Sequence, residues 1–264
     1  MPSSFLYVIA VESHSLNFQI LLNDVPVRQA LDGAPVNSQA KVNHWIVEGT
    51  NVLTIRLGLP AGGGREAQAG NSRSFQLRLL GGEHGRVPDP KVALVEFIWD
   101  AAAQPLGEPM TTVFTKEFQA EISFGRWLWQ DCPPAPLTES DKREIVQQVR
   151  KIHRALLDRD VSALTQLLKF NSEEMARAMD IEEEMLVMGQ AQFFSSLFES
   201  DGWQVASVEE PSLVFKPVAG GRLVEVTQAG GQPLLRGESS GAQYAMSFMF
   251  GRVGGAWHAL RPAS

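Results

Sequence analysis

The sequence predicts a two-domain α+β protein, in which an N-terminal antiparallel β-sandwich is followed by helices packed on a curved antiparallel sheet. Residues 4–123 alternate apolar and polar side chains between turn-forming residues, as β-strands do. A proline-rich segment follows at residues 132–137. Beyond it, apolar residues recur first at helical spacing and then at strand spacing. Helices followed by hairpin-linked strands are typical of an α+β domain.

The length of the chain agrees with two domains. Its 264 residues exceed the roughly 100 to 200 residues of a typical domain. Pro133, Pro134 and Pro136 favour extended backbone and exclude a helix between the two patterns. We therefore predict a β-sandwich over residues 1–131, a linker over 132–137 and an α+β domain over 138–264.

In the first domain, turn-forming residues separate the predicted strands. The alternating segment 17–22 precedes Asn23-Asp24-Val25-Pro26, which predicts a hairpin. Val42, His44 and Ile46 are expected on one face of a later strand, and the turn 48–51 leads into the next one. Three further strands are expected at 74–80, 91–99 and 111–123. The total of about seven or eight strands suits a two-sheet sandwich.

The stretch from Phe18 to Leu59 resembles the jelly-roll β-sandwiches of the galactose-binding-like class. The resemblance rests on an Asn-containing turn after one strand and on a Gly-x-Asn turn before an apolar strand, within Trp45-Ile-Val-Glu-Gly-Thr-Asn-Val-Leu-Thr-Ile55. Because the shared features are turns, the resemblance implies a fold. A carbohydrate-binding function, with Trp45 or the pair Trp127 and Trp129 as platforms for sugar rings, is one alternative.

Capping residues mark the helices that are predicted in the second domain. Thr138, with Asp141 three residues later, predicts the start of a helix that runs to Asp158. Asp160 predicts the start of a second helix, and Ser172 that of a third. A capping-box pattern at 180–183 lies inside this third segment and predicts a break near Asp180.

Strand periodicity returns after residue 202 and ends in a hairpin with the turn Gly254-Gly255. This order of helices followed by strands, with Trp257 after a glycine turn, resembles the NTF2-like cone fold. NTF2-like domains include enzymes, binding modules and dimerisation domains, so the resemblance does not decide the function. As a second alternative it implies a small-molecule binder or enzyme, with His258 as a candidate base. The side chains expected to line the cone are Phe215, Tyr244, Phe248, Trp257 and His258.

Composition excludes several classes of function. The net charge of -7 argues against direct binding to nucleic acid, which normally needs a basic face. The single cysteine, an N-terminus without a basic signal region, and the lack of a long apolar run predict a cytoplasmic protein without a membrane segment. The histidines are scattered without ligand spacing, and no nucleophile-base pattern occurs, so we expect no metal, no cofactor and no enzymatic activity.

The distribution of charge points beyond folding. Residues 141–169 contain seven basic and four acidic residues, whereas residues 173–210 contain ten acidic residues and one base. Acids at helix N-termini complement the helix dipole, and neighbouring basic helices can pair with them. Alternatively, the surplus carboxylates attract a basic protein. The surface expected to bind this partner comprises Glu173, Glu174, Asp180, Glu182, Glu183 and Glu184.

An acidic, compact chain without a catalytic motif is similar in general character to bacterial immunity proteins, including those that neutralise type VI secretion effectors. The resemblance is one of character and not of motif. It implies a basic partner, with a secreted nuclease as the candidate, and acidic side chains that stand in for nucleic-acid phosphates. The function predicted from the sequence is therefore that of a protein-binding module.

Overall fold

The computed structural model describes residues 5–60, 73–83, 86, 88–89, 92–100, 106, 110, 112–134 and 136–263. These residues form two compact units, and the division falls between Arg126 and Trp127. It lies before the proline-rich segment because Trp127, Trp129 and Cys132 are buried within the second unit. The glycine-rich segment 61–72, which the sequence predicts to be a loop, lies outside the described residues.

The first unit contains two four-stranded antiparallel sheets that form a β-sandwich. Its strands are β1 (Phe5–His14), β2 (Asn17–Leu22), β3 (Val25–Ala30), β4 (Val36–Lys41), β5 (Gly49–Gly58), β6 (Ser74–Glu83), β7 (Ala93–Ile98) and β8 (Thr112–Ala120). One sheet has the order β4-β1-β6-β7, and the other has the order β3-β2-β5-β8.

Alternation of side chains explains the core of this sandwich. In β2 the buried residues include Phe18, Ile20 and Leu22, one face of the strand. The neighbouring strand β5 buries its own alternating set, and β6 does the same in the other sheet. The rings of Phe18 and Phe75, one from each sheet, lie 5.4 Å apart between their centroids. The core therefore lies between the two sheets.

The turns of the first unit confirm one prediction and correct another. Asn23 and Asp24 have φ of 52° and 66° and connect β2 to β3, so the predicted hairpin is confirmed. The strand expected to carry Val42, His44 and Ile46 is wrong, because residues 43–45 form a 3-10 turn. Asn43 explains this turn: its side chain accepts a hydrogen bond from Tyr7 N at 2.6 Å and donates one to Phe5 O at 2.8 Å.

The second unit contains helices followed by antiparallel strands, which confirms the predicted α+β class. Its helices are α1 (Leu128–Asp131), α2 (Glu139–Leu157), α3 (Val161–Leu167), α4 (Lys169–Met179) and α5 (Glu183–Glu199). Its strands are β9 (Gln204–Val205), β10 (Leu213–Val218), β11 (Leu223–Gln228), β12 (Leu235–Ser239), β13 (Ala242–Met246), β14 (Phe248–Val253) and β15 (Ala256–Pro262). They form two sheets, β10-β11-β14-β15 and β13-β12-β9.

The helix starts predicted at Thr138 and Asp160 are confirmed by side-chain caps. Thr138 and Asp141 form a reciprocal capping box at the start of α2, and Asp160 accepts a hydrogen bond from Ala163 N at 2.9 Å. The cap predicted at Ser172 is wrong, because Ser172 lies buried inside α4, where its hydroxyl contacts Leu168 O and Gln190 Oε1.

The predicted break at Asp180 is confirmed, although the predicted capping box is not formed. Asp180 ends α4 in the left-handed region, with φ of 55°. The residue that precedes α5 is Glu182, and its side chain accepts no capping hydrogen bond. The turn is closed instead by a backbone hydrogen bond from Ile181 N to Ala176 O at 3.1 Å.

The core of the second unit lies between the helices and one face of the four-stranded sheet. Ile145, Val149 and Ile152 of α2 pack in one cluster with Phe194 of α5 and Phe250 of β14. A second close contact in this unit lies between Gly251 of β14 and Cys132. A Cβ atom at Gly251 would lie 2.9 Å from Cys132 Sγ, so only glycine lets the segment after α1 pack against this strand.

Candidate interaction surface

Three consecutive carboxylates are exposed at the start of α5. Glu182 is the N-cap residue, and Glu183 and Glu184 form the first turn of the helix. All three side chains are exposed, and none forms a salt bridge with any residue that the structure describes. We call these three residues the acidic turn.

Three basic residues of α2 form ion pairs with acids other than those of the acidic turn. Lys142 lies 2.7 Å from Glu139, and Arg154 lies 2.6 Å from Asp158. Arg150 forms a two-pronged pair with Glu210, through both Nε and Nη2. This pairing lowers the pKa of Glu210. Within the described part of the chain, no basic helix therefore forms a salt bridge with the acidic turn.

Glu174 is buried, which corrects its assignment to an exposed surface. Glu174 and Arg261 are both 0% exposed, and Arg261 Nη2 lies 2.7 Å from Glu174 Oε2. Glu174 Oε1 also accepts a hydrogen bond from Leu128 N at 2.5 Å. Burial raises the pKa of Glu174 and lowers the pKa of Arg261 to about 10. A charge taken out of water needs such a partner, so Glu174 has a structural role.

Arg261 also explains why Trp127 belongs to the second unit. Its guanidinium carbon lies 4.8 Å from the centroid of the Trp127 ring, and that of Arg177 lies 5.0 Å from the same ring. Two cation–π contacts therefore hold Trp127 to α4 and β15, and the hydrogen bond from Leu128 N holds the start of α1 to α4. Of the other predicted surface residues, Asp180 is exposed and Glu173 is half-buried.

An apolar face of α5 continues from the acidic turn. Met185, Met188 and Phe193 are 60%, 66% and 51% exposed. Together with Gly189 they occupy positions i, i+3, i+4 and i+8, so they share one side of the helix. No atom of the described residues would lie within 4 Å of a Cβ atom added at Gly189. We call these four residues the α5 face.

The aromatic side chains predicted to line a cone contribute to packing. Phe248 and Trp257 belong to the core cluster of the second unit, and Phe215 and Tyr244 pack against it. The indole of Trp257 is fixed in place, because its Nε1 donates to Asp141 Oδ1 at 3.2 Å. The arginine of the hairpin, Arg252, pairs with the same carboxylate and lies over the indole ring.

His258 faces away from the core cluster, since neighbouring residues of a strand point to opposite sides of a sheet. Its ring packs edge-on against Phe170, with 4.8 Å between the centroids. Burial, and then the nearby Lys151, lower its pKa. Within the described part of the chain, no acid or hydroxyl forms a hydrogen bond with the ring. Nothing there orients His258 as a general base.

A groove of about 420 Å³ lies on the three-stranded sheet. Tyr244 is the one residue of the predicted cavity set that lines it, and Arg236 and Glu238 are its charged residues. The other residues of the lining are Gln204, Val205, Ala206, Gln232, Pro233, Gly237, Gln243 and Ala245. This lining provides no serine, cysteine or histidine.

The tryptophans considered as sugar platforms are buried. Trp45, Trp127 and Trp129 are 3%, 0% and 5% exposed. A stacking platform must present its ring face to solvent. None of the three tryptophans proposed as sugar platforms is therefore exposed enough to stack on a sugar ring.

The described residues include no group of three or more His, Cys, Asp or Glu side chains that could hold a metal ion. In the same part of the chain, no helix is both long and apolar enough to cross a membrane. Comparisons of the chain with known protein families, curated proteins and solved structures found no match.

Sequence reasoning missed the α5 face, although a signal was present. The signal is helical spacing among four residues, Met185, Met188, Gly189 and Phe193. Gly189 lies in the middle of the helix, where a glycine lowers helix stability and does not serve as a cap. What the sequence alone did not reveal is that this side of α5 is exposed.

Proposed function

We propose that the chain is a protein-binding module that recognises a basic protein through the acidic turn. The observation that carries the proposal is that Glu182, Glu183 and Glu184 are exposed and form no salt bridge with described residues. Three bases of α2, Lys142, Arg150 and Arg154, pair with other acids. Unpaired exposed carboxylates create a negative potential that accelerates encounter with a basic surface.

The competing explanation is stabilisation of α5 itself. Acids at a helix N-terminus interact favourably with the helix dipole, at about 0.3 to 1 kcal/mol each. This effect requires no partner, and both effects can act on the same residues. They differ in what a charge reversal changes, since the dipole effect alters stability while recognition alters association.

The test is a triple reversal, Glu182→Lys with Glu183→Lys and Glu184→Lys. The wild-type chain is first used to capture its partner from the lysate of its own cells, and the association rate of the purified pair is then measured at several salt concentrations. We expect slower association for the reversed chain and a steep salt dependence for the wild type, because exposed charges are screened within roughly 8 Å at physiological ionic strength. A matched control is Glu199→Lys, at the other end of α5.

A lower melting temperature with unchanged association kinetics would assign the acidic turn to helix stabilisation alone. The narrower form of the proposal is an immunity protein in which carboxylates occupy the positions of nucleic-acid phosphates on a toxin. In that case the captured partner is a nuclease, and the wild-type chain inhibits it more strongly than the reversed chain does. A partner without nuclease activity removes this narrower form and leaves the general one.

A further inference from the structure

We propose that the α5 face binds an amphipathic helix of the partner, oriented antiparallel to α5, with basic residues near the C-terminus of that helix. This inference rests on the proposed function, since it specifies what the acidic turn and the adjoining helix recognise together. It commits to one occupant, a basic amphipathic helix of another protein. Apolar contacts on α5 supply the affinity, and the acidic turn supplies the orientation.

Exposure of the apolar side chains is the first reason. Met188 is 66% exposed and Met185 is 60% exposed, although both lie on a helix whose opposite side is buried in the core of the second unit. Single exposed apolar residues are ordinary, but several on one side of a helix mark an interaction surface. Methionine is flexible and polarisable, and it suits a surface that must fit another helix.

Gly189 is the second and independent reason. It lies in the middle of α5, between Met185 and Phe193 on the same side, and a Cβ atom there would meet nothing within 4 Å. The packing of the residues that the structure describes therefore does not require glycine, and alanine would be the more stable choice in a helix. A glycine at this position lets the backbone of another helix approach α5 closely.

Charge decides which occupant fits. The acidic turn lies at one end of the α5 face and Glu199 at the other, so a second copy docked antiparallel would place like charges opposite each other. A membrane surface is also disfavoured, since interfacial helices carry lysine and arginine beside their apolar side. A partner helix that ends in basic residues complements the acidic turn, and basic residues at a helix C-terminus also suit its own dipole.

The test uses three synthetic peptides of 17 residues, the length of α5, each carrying a fluorescent label. The first is an amphipathic helix with leucines on one side and lysines in its last turn. The second carries the lysines in its first turn, and the third replaces the leucines of the first peptide with glutamine. Binding to the full chain is measured by fluorescence anisotropy. We expect the first peptide to bind at least roughly tenfold more tightly than the other two.

Variants of the chain identify the surface. Met188→Gln should weaken binding of the first peptide roughly tenfold or more, as loss of a central interface contact does. Gly189→Ala should raise the melting temperature and still weaken binding, a combination that a purely structural glycine would not give. Leu157→Gln is the matched control, because Leu157 is a 48% exposed apolar residue at the end of α2. It should leave binding unchanged.

Failure of this inference is distinguishable from failure of the proposed function. If the third peptide binds as tightly as the first, and only reversal of the acidic turn abolishes binding, recognition is electrostatic and the helix-docking inference is overturned. If the first two peptides bind equally and the reversal has no effect, the acidic turn is not a recognition site. Absence of binding by the first peptide, or a dimer seen by sedimentation that Met188→Gln dissociates, also overturns the inference.

Discussion

Replacing Arg261 with methionine should destabilise the second unit strongly, because Glu174 would keep a buried negative charge without its partner. Both residues are 0% exposed, and 2.7 Å separates the guanidinium nitrogen from the carboxylate oxygen. Removing one member of a buried pair typically costs about 3 to 5 kcal/mol. The contact between Arg261 and the ring of Trp127 would be lost as well.

Such a loss corresponds to a decrease of roughly 10 to 20 °C in the melting temperature of a unit of this size. Circular dichroism or calorimetry of wild type and Arg261→Met at neutral pH measures it. The pKa of Glu174 is already raised by burial, and loss of Arg261 should raise it further. A carboxyl group whose pKa is raised in the folded state stabilises that state below its unfolded pKa of about 4.5. This stabilisation is lost as the pH rises through the folded pKa. The difference in stability between wild type and Arg261→Met should therefore become smaller as the pH falls from 7 towards 5.

A double-mutant cycle tests the reasoning. Glu174→Gln retains an oxygen that can accept the hydrogen bond from Leu128 N, but it leaves the guanidinium of Arg261 buried alone. Combined with Arg261→Met, it removes both charges, so we expect the double variant to be more stable than the sum of the two single losses predicts. Arg177→Met is the control, since Arg177 lies farther from Glu174, at 3.9 Å, and is 35% exposed in its side chain. Strictly additive losses would refute the coupling.

Three further predictions concern other parts of the second unit. Gly189→Ala should raise the free energy of unfolding by about 0.5 to 1 kcal/mol in denaturant titrations, because alanine favours helix and nothing near Gly189 obstructs a methyl group; a decrease would show that the site needs glycine for folding. Cys132 should resist thiol reagents at pH 8 until the chain unfolds, since the thiol is buried and its pKa is raised to about 11; labelling of the folded chain would contradict this. Asp141→Asn should cost about 2 kcal/mol at neutral pH. Hydrogen bonds from Thr138, further assisted by Trp257 and Arg252, hold the pKa of Asp141 below its usual 3.8. Its stabilisation is therefore present above that value and lost as pH falls through the folded pKa, so the melting curves of variant and wild type should converge in acid and not at neutral pH.

Much of the fold could be predicted from the sequence because local rules determined it. The hairpin at Asn23-Asp24 has the positive φ values that asparagine and aspartate tolerate. The start of α2 at Thr138 is set by side chains within four residues of one another. The strand predicted through Val42 to Ile46 failed for the opposite reason, since Asn43 pairs with the backbone of the distant β1.

The candidate site was harder to predict, because burial and pairing depend on tertiary contacts. Glu174 and Glu184 both belong to the acidic window 173–210, and the composition of this window does not show which of its acids are buried. Glu174 faces Arg261 across 87 positions of sequence (261 − 174 = 87), whereas Glu184 faces solvent at the start of α5. The division between Arg126 and Trp127 depends on tertiary contacts as well, because Trp127 is fixed to α4 and β15 by residues far along the chain.

The arrangement of acids in the second unit argues that the acidic turn is more than surplus charge. Three of its other acids each have a definite structural contact: Asp141 caps α2 and binds the final hairpin, Glu174 holds Arg261, and Glu210 pairs with Arg150. The acidic turn lacks such contacts among the described residues and adjoins a side of α5 on which methionines are exposed around a glycine. Helix stabilisation accounts for acids at the start of α5, but it does not account for exposed apolar side chains beside them. A partner helix accounts for both. Gly189→Ala separates the two explanations, because both predict a more stable chain but only the partner helix predicts weaker binding.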